Sequence, residues 1–146
     1  TILSALILII FVSKFLLMIQ RIQSLFLLFS AISSLIIVFY FPVLKSNDIT
    51  IYLNKNLSYA RLSVFFSVGL AIFSIFQFKN RNRQLIINQV SKLFISISFI
   101  IIIFKRGEHN FAIGLFLFII PYLMIILANY FIKKDEKLVK SADRIR

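Results

Sequence analysis

"SLFLLFSAISSLIIVFYFPVL", residues 24–44, runs for twenty-one residues without one charged side chain. As a helix rising 1.5 Å per residue it is roughly 32 Å long, the thickness of a bilayer's hydrocarbon core. In water such a stretch would need a polar shell, and the chain has too little to build one. Of its 146 residues 60% are hydrophobic and 15% charged, with 18 Phe and a mean hydropathy of +0.97. Lipid is the expected solvent.

Three further runs follow the same logic. "ARLSVFFSVGLAIFSIFQF", residues 60–78, is a second span, with Arg61 near enough to its start to reach the headgroups. The third covers residues 88–104. Its cleanly apolar part, residues 93–104, is too short to cross, so the span must begin near Asn88 with Lys92 extending toward the near surface. The fourth, residues 111–131, is uncharged, with Pro121 in its middle, where a missing N–H should bend it. Between the first two spans lies a polar loop, residues 45–59, whose alternating "ITIYL" is a weak signal for a short strand or an interfacial segment. The expected fold class is all-α: a polytopic membrane protein with four transmembrane helices in residues 18–131. A short amphipathic C-terminal helix on the cytoplasmic surface completes it.

The basic residues give the expected orientation. With four spans, Lys14, Arg21, Lys79, Arg81, Arg83, Lys92, Lys133, Lys134, Lys137, Lys140, Arg144 and Arg146 fall on one side. Lys45, Lys55, Arg61, Lys105 and Arg106 fall on the other, twelve against five. The positive-inside rule puts both termini in the cytoplasm. This placement accounts for the formal charge of +12, and with no aromatic-laced basic patch outside the spans, nucleic acid is not an expected partner. Without cysteine, disulfides, thiolate metal sites and Cys nucleophiles are excluded.

Residues 1–17, "TILSALILIIFVSKFLL", fit this scheme poorly. They lack a basic n-region and a small-residue cleavage site, so a signal peptide is not expected. Met18 is the expected natural start and the preceding segment an upstream extension; a further helix is the alternative.

"IKKDEKLVKSADRIR", residues 132–146, carries nine charges in fifteen residues, directly after the uncharged fourth span. On a helix Leu138, Ala142 and Ile145 share one face, and Glu136 precedes Lys140 by the favourable four residues. Six cations against three anions should draw this tail to anionic lipid at the cytoplasmic face. The alternative is docking of a protein partner. The candidate contact residues are Lys133, Lys134, Asp135, Glu136, Leu138, Asp143 and Arg144. Arg21 is either a plain membrane anchor or a partner for Asp135 or Glu136.

Starting from Met18 the chain reads "MIQRIQSLFLL", and it closes "ANYFIKKDEKLVKSADRIR" over residues 128–146. These ends resemble those of a family of small Bacteroidetes-type bacterial membrane proteins, domain of unknown function four-two-nine-three. The matching positions are Met18–Gln23, then Ala128, Asn129, Lys133–Glu136, Leu138, Val139, Ser141 and Asp143–Arg146. The central "FKNRNRQ", residues 78–84, is similar to that family's basic loop. Residues 1–17 have no counterpart, and Tyr130 stands where a basic residue is common. The resemblance implies a four-helix inner-membrane protein and supplies no activity, substrate or cofactor.

Within the spans Ser63, Ser67, Ala71 and Ser74 recur at helical spacing, and Ser30 and Ser34 make a second small-residue pair. Such stripes are expected packing seams. Glu108 and His109 are the one adjacent acid and imidazole; with no second His they are expected to be solvated loop residues rather than a metal or acid–base site. The first, second and fourth spans hold no ionisable group inside, and no phosphate loop, triad or redox motif is present, so neither an enzyme nor a cofactor is expected. The expected role is a non-enzymatic structural or accessory subunit. The alternative is a small oligomeric pore, holin-like or a transport component, assembled from copies of the chain.

Overall fold

The computed structural model describes residues 22–144 together with Ile7, Ile9 and Ile10, which are helical and exposed. In chain order, α1 spans Ile22–Tyr40, β1 Pro42–Lys45, β2 Thr50–Tyr52, α2 Leu53–Asn56, α3 Ser58–Phe76 and α4 Arg81–Phe104. Then come β3 at Asn110–Phe111, α5 at Ile113–Leu117 and α6 at Ile119–Asp143. Among the described residues four helical stretches are long and apolar enough to cross a membrane: α1, α3, α4, and α5 with α6 taken together. They form an antiparallel bundle. One end is the basic end, holding the start of α1, the α3–α4 turn and the close of α6; a small sheet caps the other.

The bundle is inverted relative to a water-soluble one. Large apolar side chains point outward, Phe29, Phe66 and Phe116 each at about 60% exposure. Small and polar residues line the inside. Every long helix buries a seam stepping alternately by four and three: Gln23, Leu27, Ser30, Ser34 and Ile37 on α1; Gln84, Asn88, Ser91, Ile95, Ser98 and Ile102 on α4. On α6 the seam is Pro121, Ile125, Ala128 and Ile132. In lipid an outward Phe loses nothing, and helix association rests on close packing and interhelical hydrogen bonds.

Local chemistry sets the ends. The first span is shorter than the 24–44 expected, because Pro42 holds Phe41 in extended conformation and the helix stops at Tyr40. Pro42–Lys45 instead forms the central strand of an antiparallel sheet ordered β2-β1-β3, with Leu44 opposite both Ile51 and Phe111. The weak strand signal in "ITIYL" corresponds to β2. Gly114 is fixed by the same sheet, since a Cβ there would collide with the Pro42 backbone carbonyl.

The third span begins at Arg81, not near Asn88. Asn80 is its N-cap, its side-chain oxygen accepting from the Arg83 backbone N–H at 3.3 Å. Residues 88–104 are therefore the second part of a 24-residue helix. The fourth span divides at Phe118, one turn before Pro121: the proline lacks the N–H that Leu117 would accept from, and its ring crowds that turn.

The largest correction concerns the tail. Among the described residues no separate amphipathic helix follows the last span. With neither Gly nor Pro after Pro121, α6 continues unbroken through Phe131 to Asp143. From Lys133 onward it leaves the bundle, with Lys133, Lys134, Lys137 and Lys140 exposed. A helix continuous with the last span projects along that span's axis and cannot lie flat.

Candidate functional site

The serine stripes sit in the seams. Ser30, Ser34, Ser63, Ser67 and Ser74 are buried, as is Ala71. Ser30 Oγ donates to the Pro121 carbonyl at 3.0 Å, tying α1 to α6 beside the helix break. Ser91 Oγ donates to the Ser67 carbonyl at 2.9 Å. That commits its only proton, so Ser67 is the donor in the 2.8 Å Ser67–Ser91 hydroxyl pair. Ser98 Oγ donates to the Ala60 carbonyl at 3.1 Å, and Ser34 and Ser63 donate within their own helices. The hydroxyls of Ser30, Ser67, Ser91 and Ser98 hold helix to helix.

Nearer the basic end the interior changes. Gln23, Gln84 and Asn88 are buried to about 1% exposure or less and Asn129 to 6%. Asn88 Nδ2 donates to Asn129 Oδ1 at 2.7 Å, linking α4 to α6. The rest of this amide layer is unsatisfied among the described residues: both polar atoms of Gln23 and of Gln84, Asn88 Oδ1, Asn129 Nδ2 and the neighbouring Ser24 Oγ. Each such atom costs roughly 1–3 kcal/mol if left dry. Four uncharged amides can donate and accept hydrogen bonds; none can act as a nucleophile, and none titrates. Their sequence signal was the 84, 88, 91 spacing, which starts before the third span was expected to.

Among the described residues Lys92 is the Lys or Arg lying farthest inside an apolar helix. It lies eleven residues after Arg81 and twelve before Phe104, near the middle of α4, roughly 16 Å from the helix start. An earlier helix start moves it away from the surface position expected for it. Its Nζ stands 6.0 Å from the Tyr122 ring centroid. The chain's five carboxylates are Asp48, Glu108, Asp135, Glu136 and Asp143, all beyond the apolar parts of the spans. Lys92 thus has no carboxylate partner, and a charge so placed costs roughly 3 kcal/mol on insertion scales.

The projecting part of α6 supplies the other polar surface. Lys140 Nζ meets Glu136 at 2.8 Å, one turn apart. Hydrogen bonding and charge from Lys140 hold the Glu136 carboxyl below its ordinary range, with Arg81 adding in the same direction. The influence of Arg81 brings the basic α3–α4 turn and the tail to one end of the molecule. Asp135 is half-buried; Leu138, Asp143 and Arg144 are exposed. Arg21 lies outside the described residues, so its pairing with Asp135 or Glu136 does too. At the opposite end Arg61 Nη1 donates to the Asn54 carbonyl, satisfying the end of α2. Arg106 packs 4.5 Å from the Phe111 ring centroid, and its Nε donates to the His109 carbonyl at 2.9 Å. Glu108 is exposed in that turn, and among the described residues no three His, Cys, Asp or Glu gather into a metal-holding group.

The model of the family described as Domain of unknown function (DUF4293) matches residues 19–145. The chain belongs to that family. The DUF4293 match takes in all four apolar helices, the amide layer and most of the projecting tail. No curated protein and no solved structure matches the chain.

Proposed function

We propose that this DUF4293 protein is a non-enzymatic accessory subunit of a bacterial inner membrane, working through its C-terminal helix. The observation that carries this reading is the unbroken run of α6 from the apolar bundle into a charged, exposed rod ending at Asp143. From Lys133 to Asp143 the rod is roughly 15 Å long. It is stiff, because it grows from a helix anchored in the bundle, and it presents Lys133, Lys134, Lys137, Leu138 and Val139. A stiff cationic helix with exposed Leu138 suits an acidic protein surface better than the plane of the bilayer. The twelve-to-five asymmetry of basic residues supports placing this end in the cytoplasm, where anionic headgroups surround its base.

A photocrosslinking residue at Leu138 tests the reading, with one at lipid-facing Leu123 as control. The expected result is a discrete protein adduct at 138, lost when Lys133, Lys134 and Lys137 are changed to Glu. Lipid adducts alone at 138, or collapse of the membrane potential on expression, would overturn it, the latter in favour of a pore.

A further inference from the structure

A second polar contact of the chain lies within the membrane, between α4 and α6. The helix break at Phe118 leaves these two helices incompletely packed, and a groove of about 230 Å³ opens there. Its walls are Ile95, Ser96, Phe99, Phe118, Ile119 and Tyr122, overwhelmingly apolar. Lys92 sits one turn from Ser96 toward the basic end, on the same face of α4, with its ammonium beside the Tyr122 ring. Beyond Lys92 the Asn88–Asn129 hydrogen bond closes the seam. The Asn129 Nδ2 donor in that seam is nine-tenths buried and unbonded among the described residues.

We propose that this groove binds an anionic phospholipid of the leaflet at the basic end, with an acyl chain along Phe99, Phe118 and Ile119 and a headgroup oxygen anion at Lys92. The argument is charge complementarity. Lys92 is a cation at depth, and every carboxylate of the chain lies outside the apolar parts of the spans. Its counter-charge must therefore come from another molecule, and a molecule reaching it through the groove must be apolar along its length and anionic at one end. A bilayer phospholipid meets both requirements and is present at high concentration. A zwitterionic lipid also brings a choline cation toward Lys92, the same charge the site already carries, so the site discriminates by headgroup.

The test is native mass spectrometry of the full chain in mild detergent with equimolar phosphatidylglycerol and phosphatidylcholine. The wild type is expected to retain phosphatidylglycerol preferentially. Lys92→Met, which removes a charge at nearly constant length, should lower that retention about tenfold, the weight of one charge-assisted contact. Ser96→Phe, which fills the groove with Lys92 still present, should lower it similarly. Lys133→Gln with Lys134→Gln should leave it within about twofold, separating this site from the tail. Unchanged retention in Lys92→Met, equal retention of both lipids, or replacement of phosphatidylglycerol by free palmitate would each overturn the proposal. None of these outcomes depends on whether the tail docks a protein.

Discussion

The two halves of the bundle interior solve different problems. At the sheet end the core is aliphatic: Val43, Leu44, Leu53, Val64 and Ile102 are fully buried. Its polar side chains there are hydroxyls such as Ser63 and Ser98, each donating to the Ala60 carbonyl. At the basic end four carboxamides and Ser24 fill the same kind of seam, with seven of their polar atoms unbonded among the described residues. A serine can always turn its single proton onto a carbonyl of its own or a neighbouring helix. A carboxamide needs several partners with fixed geometry. Hydroxyls accordingly occur along the whole length of the seams, whereas the amides gather toward the basic end.

The contrast can be tested by substitution, beginning with the outer face that both halves share. Phe66→Asp places a carboxylate against lipid near the middle of α3, and should cost about 3–4 kcal/mol of insertion free energy. Glycosylation-tag or protease-protection assays of inserted fraction would register it; unimpaired insertion would mean that this face meets protein or water. Ile102→Ala in the aliphatic half should destabilise by roughly 2–3 kcal/mol in steric-trapping or denaturant assays in detergent. That is the lower part of the range for such truncations, because in lipid only packing is lost.

The amide half should respond with the opposite pattern. Asn129→Leu alone strands Asn88 and should cost about 1–2 kcal/mol, while adding Asn88→Leu should return most of that loss. Additive losses in the double variant would show that the pair is not a unit. The smallest effect belongs to the tail. Glu136 has its pKa lowered in the folded helix, so its pairing with Lys140 contributes fully above the ordinary carboxylate pKa and fades as pH falls through the lowered value. Protection of the amides at residues 137–140, taken relative to their intrinsic exchange rates at each pH, should fall on acidification in the wild type and show no such change in Glu136→Gln.

Much of this arrangement was legible in the residue order, for reasons that differ by element. The four spans show themselves because an uncharged run of about twenty residues has few other homes. The serine stripes were visible as repeats of four and three or four. What escaped notice depended on contacts distant in sequence. Pro42–Leu44 closes the uncharged run and, with Lys45, becomes a strand only because Thr50–Tyr52 and Asn110–Phe111 come to lie beside it. Gln84 and Asn88 looked like loop and span edge, because the "KNRNR" charges masked a helix start that Asn80 caps. Helical spacing such as that of Leu138 and Ala142 cannot tell a new helix from the continuation of an old one, and Ile145 lies outside the described residues. The absence of Gly and Pro between Phe131 and Asp143 was the better signal.

The most direct test uses the chain's lack of cysteine. Two single-cysteine variants, Glu108→Cys and Leu138→Cys, can be exposed in intact spheroplasts to a membrane-impermeant maleimide. Labelling of the Glu108→Cys variant from outside, with the Leu138→Cys variant labelled only after lysis, is the expected result. Labelling of both variants from the same side would contradict a four-span bundle with its amide half and projecting helix at the cytoplasmic face.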